Sequence, residues 1–192
     1  MTAPQDILAY WLDEIGPEGW YAGGEKLDTE VRTKFGDVWK RATEGALSLW
    51  LTYPTGTLAY IILTDQFPRN MFRDQAEAFS SDHIARAASK MAISKGWDVK
   101  LDEPGRQFFY LPLMHSENLT DQDRCVRLVA TRMGPETKML LHAKAHREVI
   151  RKFGRFPTRN EALARANKCD EDQYLDDGGY GAVVRALDTE PV

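Results

Sequence analysis

Apolar residues recur at three- and four-residue steps along almost the whole chain, which is the period of an α-helix and not the two-residue alternation of a half-buried strand. After Asp28, the residues Val31, Phe35, Val38, Trp39 and Ala42 share one face. Leu58, Ile61, Ile62 and Asp65 form a second stripe, and Met139, His142, His146, Val149, Ile150 and Phe153 a third. Strand alternation is missing, so the expected fold class is all-α. Short turns between helices imply antiparallel helix pairs stacked on one another, ridges into grooves.

Proline, glycine and capping residues divide the pattern. Pro4 opens a first helix carrying Ile7, Leu8, Trp11 and Leu12, which Gly16-Pro17 closes. Asp28 is the expected N-cap of the second helix, and the Phe67-Pro68 step the expected end of the third. Asp82 is the expected cap of a fourth, running to about Lys95 before Gly96. An aromatic fifth helix begins at Pro104, carries Phe108, Phe109, Tyr110 and Leu111, and kinks at Pro112. Thr120 and Asp123 resemble a capping box for the sixth, and Pro135 to Phe153 forms the seventh, closed by Gly154. Short helices are expected near Glu161 to Arg165 and Asp170 to Leu175. No linker stands out, and 192 residues fit one domain. Residues 1–192 are therefore read as a single helical domain with an irregular, glycine-rich tail from about 177.

A net charge of -4 supplies no overall positive field for a phosphate backbone, so no nucleic acid is expected as partner. The two cysteines, Cys125 and Cys169, lack the spacing of a zinc ribbon or redox motif and read as free thiols. Met1 to Leu8 has neither the basic start nor the apolar run of a signal peptide. The longest apolar run, Leu58 to Leu63, falls far short of the roughly 20 residues of a membrane span. The expected setting is cytoplasmic, without a membrane.

Several local signatures occur in a fixed order. They are Ile7-Leu8-Ala9-Tyr10-Trp11, Trp20-Tyr21, Asp65-Gln66-Phe67-Pro68-Arg69-Asn70, Tyr110 through Glu117, His146-Arg147, and Phe153 through Asn160. Together they resemble the bacterial domain-of-unknown-function family numbered nine hundred and twenty-four, over nearly the whole chain. The resemblance implies an all-helical, tetratricopeptide-like fold and no established activity. The sequence departs from the family pattern at Ala164, where glycine is expected between Leu163 and Arg165, and in the glycine-rich tail.

Helical spacing turns His142 and His146 inward, and His115 shares a stripe with Phe108 and Leu111. His115, His146 and Glu117 are the candidate catalytic, proton-carrying groups. A histidine pair at i and i+4 can chelate a metal, with His115 and Glu117 or Asp65 completing the set. The pattern lacks His-Glu-x-x-His, so no metal site is assigned, and the residues identify no cofactor. Asp65 continues an apolar stripe near a helix C-terminus, where the macrodipole disfavours an anion. It needs a cation, and Arg69, Arg155 and Arg159 from the two Phe-Pro turns are the candidates. Asp65, Gln66, Arg69 and Asn70 with Arg155, Arg159 and Asn160 form the candidate ligand-binding set, since arginine forks suit carboxylates and phosphates. Trp11, Trp20, Tyr21 and Phe72 are candidates for an aromatic wall. Ser116 lacks the strand-turn-helix setting of a hydrolase nucleophile. Two functional readings follow. One is a small anionic metabolite held in a His/Arg/Asp pocket, and the other is a helical module for a protein partner with a purely structural polar core.

Overall fold

Among the described residues, 2–189 of this computed structural model, the chain forms helices and turns and no strand. Met1 and the last residues of the tail, 190–192, lie outside the described residues. Two compact units divide the chain at Pro112, Met1–Pro112 and Leu113–Val192.

In the N-terminal unit, α1 (Pro4–Leu8) widens into a π-helical stretch, Ala9–Ile15. Then come α2 (Glu25–Thr43), α3 (Pro54–Ile61) and α4 (Asp82–Ser94). Every residue from Gly56 to Pro68 is buried, so α3 and the turns that continue it are enclosed on all sides and form the centre of this unit. Around it, Phe67 meets Trp11 edge-on at 5.3 Å and Phe35 at 4.8 Å, and Trp20 meets Phe108 at 4.9 Å. Each such pair contributes about 0.5–1.5 kcal/mol beyond the area it buries. The Trp20 indole N–H donates to the Trp11 carbonyl at 2.6 Å, tying the Trp20-Tyr21 loop to the core.

The Phe67-Pro68 step does not end the third helix as expected. α3 continues as a π-helical turn, Ile62–Gln66, and then as a further α-helical turn, Phe67–Met71. Pro68 sits at the start of that last turn, where its missing N–H is least costly, and the Phe67 N–H reaches back to Ile62. Two expected caps are also displaced. Gly24 precedes α2, so Asp28 falls inside the first turn, and Ser81 precedes α4, which makes Asp82 its first residue. Both carboxylates bind arginine instead. The expected aromatic helix is a 3₁₀ stretch, Gly105–Phe109, followed by a short α-turn, Leu111–Met114, because Pro112 cannot extend the ladder.

In the C-terminal unit, α5 (Leu119–Arg132) is capped by the Asn118 side chain, which accepts from the Thr120 and Asp121 amides, and not by Thr120. α6 (Lys138–Phe153) starts at the Thr137 cap, later than Pro135, and ends at Gly154 in the left-handed region, as expected. α7 (Cys169–Asp176) and α8 (Gly179–Asp188) follow. Val149, Ile150, Phe153, Phe156 and Tyr174 form a buried cluster, with Leu175 and Val183 packed against it. The segment read as an irregular tail is therefore largely helical. Its glycines are gathered at the α7–α8 turn and the start of α8, which leaves Val183 free to dock its apolar side.

No helix forms at Glu161 to Arg165, where a run of turns carries Ala164 at φ 50. An L-residue with a Cβ is strained there, and this is the position at which the resemblance noted above leads to an expectation of glycine. Ala164→Gly is expected to stabilise the protein by roughly 0.5–1 kcal/mol, the relieved strain exceeding the added backbone entropy of the unfolded chain. Urea denaturation checks this. A midpoint below that of the unaltered protein would mean that the Ala164 methyl makes packing contacts worth more than the strain.

Candidate functional site

In the N-terminal unit the polar end of α3 is built around Asp65, whose side chain is 1% exposed. Its oxygens take the Arg69 guanidinium at 3.5 Å and the Gln66 amide, and Arg69 also donates to the Asp65 carbonyl. The Arg69 fork closes on Asp82 through two bonds of 2.9 and 3.1 Å. Burial disfavours the Arg69 charge, but Asp65 and Asp82 more than compensate and raise its pKa above the usual value. Beside this pair, Asp28 receives Arg73 through two bonds of 2.7 and 2.9 Å and the Asn70 amide at 2.9 Å. Asp65 is buried against an arginine of a Phe-Pro turn, as expected. Arg69, however, belongs to the first turn, four residues on, so this pair is local and does not supply the expected link from the centre of the chain to its C-terminal third.

The second Phe-Pro turn belongs to the C-terminal unit and opens a 3₁₀ turn, Pro157–Arg159. Arg155 engages Glu171, not Asp65, with bonds of 2.7 and 2.6 Å, and reaches the Ala166 carbonyl at 2.8 Å. The Arg155 hydrogen bond, reinforced by the Lys168 N–H and Asn160, carries the Glu171 pKa down to about 2. Asn160, 2% exposed, donates to Asn167 and Glu171 and accepts from Arg165 at 3.0 Å. Glu117 receives the Arg165 fork at 2.8 and 3.0 Å and the Phe156 N–H at 2.9 Å. Burial pushes the Glu117 carboxyl up, but the Arg165 hydrogen bond, the Phe156 amide and the nearby arginine charges outweigh it, and its pKa falls below the usual range.

The histidines lie against the same turn. His115 and His146 have ring centroids 6.2 Å apart, and His146 meets the edge of Phe156 at 5.6 Å. Arg159 lies 4.5 Å over the Phe156 ring and donates to the His115 carbonyl at 2.9 Å. The Nδ1 atom of His146 is 2.8 Å from the His142 carbonyl. A carbonyl only accepts, so Nδ1 carries the hydrogen and Nε2 is left as the basic nitrogen. Burial, aided by the charges of His115 and Arg159, presses the His146 pKa down to about 3 against the opposing hydrogen bond to His142. His142 corrects the helical-wheel expectation. It is exposed, because the buried face of α6 runs through Leu140, Ala143 and Ala145 as well as Val149 and Ile150.

Trp11 and Trp20 are core residues, Tyr21 is 65% exposed and hydrogen-bonded to Gln107, and Phe72 tilts against Trp39. A separate hollow of about 390 Å³ lies in the N-terminal unit, lined by Leu51, Tyr60, Ile84, Ala88, Met91 and Lys95 among others. Among the described residues no three His, Cys, Asp or Glu side chains gather as a metal would require, and no helix is long and apolar enough to cross a membrane.

Residues 7–179 match the family described as "Bacterial protein of unknown function (DUF924)". The chain belongs to this family. It is also similar to the solved structure of a protein of unknown function, ATU0120, from Agrobacterium tumefaciens. Identity is 36% and the TM-score 0.86, over 91% of this chain and 97% of that one. No curated protein matches the chain.

Within this DUF924 chain the candidate residues fall into two groups, each inside its own unit. Asp65, Gln66, Arg69 and Asn70 lie in the N-terminal unit, and His115, Glu117, His146, Arg155, Arg159 and Asn160 in the C-terminal one. Sequence reasoning missed their partners Asp28, Arg73, Asp82, Arg165 and Glu171, and it missed Tyr180 in the DUF924 tail. Glu171 opens α7 as an acid in the first turn, a signal that marks a helix start but not an arginine partner. Tyr180 carried no periodic signal at all.

Proposed function

We propose that this protein binds a small anionic metabolite at the C-terminal unit, beside His115, His146 and Arg159, with His146 accepting a proton from it. The carrying observation is His146 itself, a half-buried imidazole whose lowered pKa keeps it neutral and whose resting tautomer is set by the His142 carbonyl. The charges of His115 and Arg159 both oppose its protonation. An anion placed there relieves that repulsion and stabilises the protonated ring, which is the arrangement expected of a proton acceptor that works once its ligand is bound. Glu117 is better suited to anchoring than to proton transfer, since Arg165 and the Phe156 amide already hold its carboxylate in the ionised form.

Binding is tested by following the His146 ring resonances while inorganic phosphate is added at neutral pH. Arg159→Met is expected to weaken phosphate at least tenfold. With sulfate, whose charge is constant over the range, affinity should rise as pH falls from about 7 towards the His146 pKa of about 3. The direction follows from linkage, because the anion binds the protonated ring more tightly and so raises its pKa. No shift at His146 with either anion, or an affinity independent of pH, would overturn the proposal. The apolar hollow lined by Leu51, Tyr60, Ile84 and Met91 is the feature that favours the protein-partner reading. Among its lining residues Lys95 alone is charged, and its ammonium lies 4.4 Å over the Trp97 ring.

A further inference from the structure

An imidazole that resists becoming a cation can still pass a proton through itself, provided the hydrogen on its far nitrogen can leave as one arrives. Such a path is laid out at the far nitrogen of His146. The Tyr180 hydroxyl, from the first turn of α8, lies 3.1 Å from Nδ1 of His146 and 2.8 Å from Nδ1 of His142. The Tyr180 ring is 4.7 Å from that of His146 and nearly parallel to that of His142, at an interplanar angle of 18°. His142 is exposed.

We infer that Tyr180 and His142 form a proton outlet from His146 to solvent. The inference rests on the reading of His146 as proton acceptor and extends it to two residues outside the ligand-binding set. The transfer balances without any net charge left on the relay. As Nε2 of His146 takes a proton from the bound ligand, its Nδ1 proton, shared at rest between the His142 carbonyl at 2.8 Å and the Tyr180 oxygen at 3.1 Å, passes to the latter. The Tyr180 hydroxyl proton passes to Nδ1 of His142, and His142 releases its Nε2 proton to water. Both imidazoles end in the opposite tautomer and Tyr180 ends unchanged as a phenol. The starting tautomer of His146 follows from its Nδ1 facing a carbonyl, and the relay uses the His142 tautomer in which Nδ1 accepts from Tyr180.

The test is the exchange rate with water of the His146 Nδ1 proton, measured by NMR on protein with nitrogen-15 histidine. Tyr180→Phe removes the relaying oxygen and should slow exchange at least tenfold. His142→Gln leaves Tyr180 in place but removes the terminal carrier, and should slow it similarly, so the test survives if one variant fails to fold. If Tyr180 merely packs α8 against α6, its loss loosens the contact and exchange becomes faster. An unchanged or faster rate in a folded variant overturns the outlet. Phosphate affinity, measured on the same samples, reports separately on the binding site, so a protein that does not bind phosphate but shows slowed exchange defeats only the binding proposal.

Discussion

Arg69→Met is expected to lower the unfolding free energy by about 3–5 kcal/mol, the usual consequence of removing one partner from a buried ion pair. Arg69 compensates two carboxylates, Asp65 at 1% side-chain exposure and Asp82 at 16%. Methionine fills similar space but leaves both without the guanidinium. Asp65→Asn should cost less, about 1.5–3 kcal/mol for a charged hydrogen bond, because Arg69 keeps its fork on Asp82. The pH dependence separates electrostatics from packing. Without Arg69, the Asp65 carboxyl has a folded-state pKa raised above its unfolded value of about 3.9, so its neutral form is favoured in the fold. The deficit is full above that raised pKa and is relieved as the pH falls through it. Urea midpoints at neutral pH and near pH 4.5 should therefore converge towards those of the unaltered protein at the lower pH. A deficit equal at both would assign the loss to packing, and no deficit at all would mean that the buried pair is inconsequential.

Glu117→Gln has the second-largest expected effect. It replaces a carboxylate that holds Arg165 and the Phe156 amide together, and so unfastens the turn on which Arg159, Asn160 and His146 depend. With side-chain exposures of 28% for Glu117 and 23% for Arg165, solvent screens the pair. The loss should then be about 2–3 kcal/mol, below that of a fully buried pair. The Glu117 pKa is lowered in the fold, so its contribution is present above the unfolded value of about 4.3 and disappears as the pH falls through the folded value. The difference between the two proteins should accordingly shrink below about pH 4. Phosphate binding by the folded Gln variant distinguishes the roles. An affinity within a few-fold of the unaltered protein fits an anchor, whereas lost binding with an unchanged denaturation midpoint would make Glu117 a ligand-contacting residue.

The all-helical fold and several helix stops were legible in the residues, because helical periodicity and punctuation are local properties of the backbone. Gly154 illustrates this, since only a residue free to adopt φ 72 ends α6 without strain. The burial of Asp65 was legible for a similar reason, the acid lying on an otherwise apolar stripe. Misplaced starts, such as those at Asp28, Asp82 and Thr120, arose where several residues with cap-forming side chains stood close together and long-range partners claimed one of them. Asp28 binds Arg73 and Asn70, far along the chain, and Asp82 binds Arg69.

What only the tertiary structure decided was the pairing of charges and the setting of each histidine. The sequence holds many arginines and acids of nearly equal chemistry, and a guanidinium closes on whichever carboxylate the packed helices bring within reach. That is Glu171 for Arg155 and Glu117 for Arg165. The wheel put His142 and His146 on one face, yet a turn of helix is too coarse to tell a half-buried ring from an exposed one. Tyr180 reaches both only because α8 packs on α6. Periodicity reports which side of a helix is apolar, whereas the partner of a polar group is set by distances between segments remote in sequence, and those come into being only when the chain is folded.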